Sequence, residues 1–146
     1  MTSEIQAKGI FHLRVYDHGK LVETYTDENL IVTVGKNGFI YLLTGETGFE
    51  NKQVTQIAFG SNGTSPAATD TSITTAVIKP LEGYTFPGPR AVAFEFLLDL
   101  GDAIGAVIRE FGLLTTDGGL FARKARGAIT KTSTMKLEGT WTITFL

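Results

Sequence analysis

The sequence predicts a mainly β chain: an antiparallel β-sandwich of about seven or eight strands with one short helix, in a single domain spanning residues 1–146. Three observations predict it. In two segments apolar and other residues alternate with the period of a strand: Val92, Phe94, Phe96, Leu98 and Leu100 against Ala91, Ala93, Glu95 and Asp99, and Met135, Leu137, Trp141, Ile143 and Phe145 against Lys136, Glu138, Thr140, Thr142 and Thr144. Turn chemistry recurs between short β-prone runs, which suits hairpin-length connections and antiparallel pairing. The composition, 42% hydrophobic and 19% charged with ten Phe and seventeen Gly, is that of a folded globular chain and far from the charge-rich, aromatic-poor signature of disorder.

Taken in order, Ile5, Ala7, Phe11, Leu13 and Val15 alternate with Gln6, Lys8, His12 and Arg14, a half-buried strand. Asp17-His18-Gly19-Lys20 is a turn, and Leu21 to Thr26 is the return strand. Ile31, Val34, Phe39, Leu42 and Leu43 then fall at helical spacing, which predicts a helix over 34–43 with Thr33 capping its start and Gly45 ending it. Gly35 and Gly38 inside it each cost about 1 kcal/mol relative to Ala, so this helix needs a sheet to pack against. Residues 46–52 form a polar loop, and Val54 to Phe59 form a strand. The Gly60-Ser61-Asn62-Gly63-Thr64-Ser65-Pro66 stretch is a loop without the Lys-Ser/Thr pair of a phosphate-binding P-loop. The β-branched run Thr71, Ile73, Thr74, Thr75, Val77, Ile78 argues against a stable helix over 70–79. Residues 79–86 are expected as one strand, stopped by Pro87-Gly88-Pro89.

Residues 108–126, IREFGLLTTDGGLFARKAR, form a β-hairpin whose turn is Asp117-Gly118-Gly119. A two-residue loop sets Leu114 opposite Phe121 and Arg109 opposite Arg126; a three-residue loop with a glycine bulge sets Glu110 opposite Arg126. The second is expected, because facing opposite charges stabilise a strand pair by about 0.2 to 1 kcal/mol and like charges do the reverse.

The same residues carry a resemblance. Glu110-Phe111-Gly112-Leu113, Asp117-Gly118-Gly119-Leu120-Phe121-Ala122-Arg123, Ile129-Thr130-Lys131 and Trp141-Thr142-Ile143-Thr144-Phe145, in that order and spacing, resemble a pattern of tailed-bacteriophage tail-fibre and other virion structural proteins. Ile57-Ala58-Phe59-Gly60 followed by residues 64–71, TSPAATDT, is similar to a segment that often precedes it there. The long repetitive shaft and distal receptor-binding region of a full fibre are not in this chain. The resemblance therefore implies a virion structural protein, assembled in the host cytoplasm, with itself and other virion proteins as partners. It implies no receptor-binding residue. Tail, baseplate, fibre attachment and capsid decoration all remain open as positions in the particle.

Charge and chemistry agree with a structural role. Residues 120–146 hold Arg123, Lys124, Arg126, Lys131 and Lys136 against Glu138 alone, a basic stretch within a chain of net charge −2. Solvated sheet face is one reading of it. The other is a subunit interface centred on Arg109, Glu110, Arg123, Lys124 and Arg126, meeting an opposite-signed surface of a neighbour. Nucleic acid is not an expected partner at a pI of about 5.7. Neither a signal peptide nor a membrane span is expected. With no Cys and two isolated histidines, His12 and His18, neither metal nor cofactor is expected. Glu95 and Asp99, four positions apart on one strand, lie about 13 Å apart by strand rise, too far for a glycosidase pair, so no enzyme is expected. A glycan-binding module is the alternative, with Tyr16, Tyr25, Tyr84 and Trp141 as stacking surfaces. Of these, Tyr16 is best placed, while Trp141 shares the core face.

Overall fold

A computed structural model describes residues 6–146, so Ile5 lies outside the described residues. The chain is mainly β, with one α-helix among the described residues. The elements are β1 (Ala7–Asp17), β2 (Lys20–Ile31), α1 (Thr33–Leu42), a 3-10 turn (Glu50–Lys52), β3 (Val54–Gly60), β4 (Val77–Pro80), β5 (Gly83–Thr85), β6 (Ala91–Leu98), β7 (Val107–Thr115), β8 (Leu120–Thr130) and β9 (Met135–Phe145).

The nine strands form one antiparallel curled sheet in the order β4-β3-β7-β8-β2-β1-β9-β6-β5. It works as a sandwich because β2 serves both faces. Lys20 to Asn29 pair with β1, whereas Leu30 and Ile31 pair with Arg123 and Ala122 of β8. The far edges are bridged by one segment: Leu81 N–H donates to the Thr55 carbonyl of β3 at 3.0 Å, and Glu82 N–H to the Glu95 carbonyl of β6 at 2.8 Å. The expected single strand over 79–86 is thus two short strands. The chain switches faces at Leu81-Glu82 because each half finds its ladder on a different edge.

The core lies between the faces. Phe11, Phe96 and Trp141 from one face meet Phe59 and Phe111 from the other, with Phe11 ring centroids 4.7 Å from Phe111 and 5.0 Å from Trp141. These rings sit on the inward face of the alternation in β1, β6 and β9, as the period of two requires. Gly139 interrupts that face of β9: a Cβ there would stand 1.9 Å from the His12 carbonyl and 2.8 Å from the Phe96 ring, so the Phe96 ring fills the place of a side chain.

The helix begins one residue early. Val32, buried and extended, is its N-cap, with its N–H donated to the Phe121 carbonyl, and Thr33 N–H goes to the Ala68 carbonyl rather than Thr33 acting as a cap. Gly45, at φ +61, follows the last turn as expected. Gly35 is required by contact: a Cβ would lie 2.3 Å from the Phe121 carbonyl oxygen, so the helix rests directly on the β8 backbone.

The hairpin turn has the expected length but starts one residue earlier. Gly118 N–H bonds to the Thr115 carbonyl and Thr115 N–H to the Gly119 carbonyl, both at 2.9 Å, which makes Thr116-Asp117-Gly118 the loop with Gly118 at φ +87. Gly119 needs no positive φ. Leu114 therefore faces Leu120, Phe121 bulges, and Glu110 faces Ala125 instead of Arg126. The expected cross-strand pair is replaced by a diagonal one.

Candidate functional site

The diagonal partner of Glu110 is Arg123. Arg123 stands opposite Gly112, whose missing side chain leaves room for Ile73, and its guanidinium reaches along the sheet to Glu110 Oε1 at 2.9 Å. Both side chains are 1% exposed. The rest of the guanidinium is spent on the loop between β3 and β4, with Nη1 donating to Asp70 at 3.0 Å and Nη2 to the Asn62 carbonyl at 2.8 Å. Glu110 Oε2 accepts the N–H groups of Asn62 at 2.7 Å and Thr74 at 3.1 Å. Every charge in the cluster is hydrogen-bonded, the condition for tolerating buried ions. The network clamps residues 61–76 across the outer face of β3, β7 and β8, and Ile73 packs there on Gly60 and Gly112.

The other cations of the basic stretch are also engaged within the chain. Lys124 donates to Asp27 at 2.7 Å and to the Glu28 carbonyl at 3.0 Å. Burial opposes its charge, yet the bonds to Asp27 and Tyr25 hold its pKa above the usual lysine value, and the Asp27 carboxyl is lowered in return, chiefly by the Lys124 bond. Arg126 pairs with Glu23 at 2.7 Å and lies over the Tyr25 ring. Lys131 is buried with its three donors on the carbonyls of Asp99, Leu100 and Thr132. Burial pushes its pKa down while Asp102 and Asp99 oppose the shift, and with all three protons committed it serves as a clip on the 99–102 turn.

Four of the five residues of the expected interface are thus engaged within the chain. Glu110 and Arg123 are buried inside the chain, Lys124 is nearly so, and Arg126 pairs with Glu23. Of the five residues expected there, Arg109 alone is exposed and without an ion pair among the described residues. At the turn, Asp117 bonds Lys52 at 2.6 Å and accepts from the Thr115 hydroxyl and the Gly119 N–H. The Lys52 bond first, then the Thr115 hydroxyl, bring its carboxyl to about 2. The turn, Thr116-Asp117-Gly118 rather than Asp117-Gly118-Gly119, is pinned to the segment before β3 by the Thr116 and Asp117 N–H groups on the Gln53 and Asn51 carbonyls.

The aromatic surfaces are redistributed as well. Trp141 is fully buried. Tyr25 is covered by Lys124 and Arg126, and Tyr16 by Lys136 at 4.8 Å. Tyr84 alone of the four is open, edge-to-face with Phe86 at 5.6 Å. His12 bonds Thr26 and His18 pairs with Asp17, and among the described residues no three His, Asp or Glu side chains converge as a metal-binding group.

Tyr84 and Phe86 line a groove of about 1180 Å³ between α1, the start of β3 and the β5–β6 edge. Val54, Val92, Phe94, Phe121 and Ile143 are among its apolar lining; among the described residues Lys36, Lys52 and Arg90 are its charged ones and no carboxylate lines it. Sequence reasoning passed over this site. Its signal was the helix itself: Val34, Ile40, Tyr41 and Leu43 continue the apolar residues beyond one stripe, and a helix apolar on several faces is normally buried on several faces.

Comparison with known protein families, with curated proteins and with solved structures gave no match.

Proposed function

We propose that this chain is a non-enzymatic structural subunit of a tailed-phage virion, in the tail, baseplate or fibre-attachment apparatus. The observation that carries the reading is the ordered set of segments from Ile57 to Phe145 that resembles virion structural proteins. What supports it physically is where those segments go. Glu110, Gly112, Asp117, Gly118 and Arg123 all serve the fold: a buried ionic clamp, a close-packed strand and a tight turn. Charged residues spent on the fold fit a building block better than a reactive centre, whose charged groups must face a substrate.

The open Tyr84–Phe86 pair favours one second reading, glycan binding, since exposed aromatic faces stack on sugars. Peptide mass spectrometry of purified particles tests the first reading, with the chain expected in several copies per particle; its absence from them overturns the proposal. Glycan-array binding by the isolated chain, lost in Tyr84→Ala, would favour the second.

A further inference from the structure

We propose that the groove beside β5 receives an extended, acidic segment of a neighbouring virion polypeptide as an added strand. The inference rests on the virion reading and names the contact through which the subunit would act.

Three independent features meet there. The first is a free strand edge. Among the described residues β5 is terminal in the sheet order and has β6 as its sole strand partner, while on the opposite side of the groove β3 pairs with β4 only from Gln56 onward. Beyond the Leu81-Glu82 switch the two edges part, and the opening between them is the groove, lined by Gln53 to Thr55 on one side and Tyr84 and Phe86 on the other. Unpaired N–H and C=O groups on such an edge recruit another extended chain by β-augmentation. Pro87 and Pro89 end that edge, because proline has no N–H to donate.

The second feature is apolar surface left uncovered at the rim. Phe86 is 74% exposed, Leu43 68% and Tyr84 63%. A small molecule held on the floor leaves such side chains in water, whereas a polypeptide lying along β5 covers them, as contiguous exposed apolar patches on soluble proteins usually require. Side chains of an added strand alternate, so every second one enters the groove.

The third feature is charge. Among the described residues Lys36, Lys52 and Arg90 line the groove without a carboxylate, and Lys52 alone of them has an ion-pair partner, Asp117. Arg90 holds a left-handed backbone, φ +65, directly after Pro89, a conformation uncommon for a non-glycine residue and associated with ligand-contacting positions. Two unpaired cations on an apolar groove select an acidic occupant and disfavour the same groove of a second copy, which carries the same charges.

The test places the photoreactive residue p-benzoylphenylalanine at Phe86, and separately at exposed Ile78 of β4 outside the groove, in assembled particles. Irradiation followed by peptide mass spectrometry is expected to join the Phe86 probe to one segment of another polypeptide that carries Asp or Glu among alternating apolar residues. The Ile78 probe should not reach that segment. Arg90→Glu and Lys36→Glu, checked for unchanged melting temperature, should each cut the cross-link yield about tenfold. The proposal is overturned if the chain is in the particle and the Phe86 probe links to nothing, to a basic segment, or to residues 1–5 of its own chain, or if both charge reversals leave the yield unchanged. Absence of the chain from particles is a different result: it removes the virion reading, and this inference with it.

Discussion

Replacing Glu110 with Gln is the sharpest probe of the fold, because it changes one atom type and almost no volume. Glu110 accepts three N–H donors, from Arg123, Asn62 and Thr74. A glutamine has one acceptor oxygen and one NH2 group, so whichever way the amide is turned a donor faces a donor. With the oxygen toward Arg123, the amides of Asn62 and Thr74 lose their acceptor; with the oxygen toward those amides, the guanidinium loses its own. Breaking a buried ionic pair costs about 3 to 5 kcal/mol, and in a domain of this size each kcal/mol moves the midpoint by about 2 to 4 °C. Thermal unfolding should therefore shift down by about 10 °C. Residues 61–76 should loosen first, which native-state hydrogen exchange reads at the amides of Asn62 and Thr74. A melting temperature within 2 or 3 °C of wild type, together with unchanged protection of those two amides, would refute the clamp.

Three further outcomes follow from the same structure. Gly35→Ala should destabilise by about 1 to 3 kcal/mol in denaturant unfolding, because its Cβ meets the Phe121 backbone; helix propensity alone gives the opposite sign, about 1 kcal/mol of gain, so the sign decides between contact and propensity. Gly118→Val should lower stability by about 1 to 3 kcal/mol in thermal melts, since its φ of +87 penalises a β-branched residue although the space around it is open. Asp117 has a folded pKa of about 2 against an ordinary 3.8, so its contribution is complete above about pH 4 and is lost as pH falls through 4 toward 2. Its side chain is 26% exposed, and with solvent screening allowed for the contribution is about 1 kcal/mol; wild type should exceed Asp117→Asn by that amount at pH 7 and match it near pH 2 in urea titrations.

How much was legible in the sequence depended on whether a signal was local. Strand period is local, so β1, β6 and β9 and their inward rings followed directly from the alternation, as did the helix, to within a residue of its start. The hairpin turn was legible in length but not in position. Asp-Gly-Gly offers two glycines for one left-handed site, and the choice fell to Gly118 through the bonds of Thr115 and Asp117. Register then followed from the Phe121 bulge, whose carbonyl is held by Val32 from a distant segment. The ionic cluster was invisible for the same reason. Nothing near Arg123 in sequence shows that Asp70 and Asn62 fold over it, so a run of Arg and Lys looked like surface when Arg123 and Lys131 are among the largest fully buried side chains. The groove failed differently: its parts come from six segments, and only the all-round apolar character of α1 hinted at uncovered surface.

The central proposal is that this curled sheet is a repeated building block of a phage particle, with its ionic clamp turned inward and its apolar groove turned toward a neighbour. A reconstruction of the whole particle at side-chain detail tests it most directly. The account predicts density for the nine-stranded sheet at symmetry-related positions, Arg123 enclosed by Glu110 and Asp70, and an extended chain from another polypeptide alongside β5. Particles whose density contains no such sheet would contradict it.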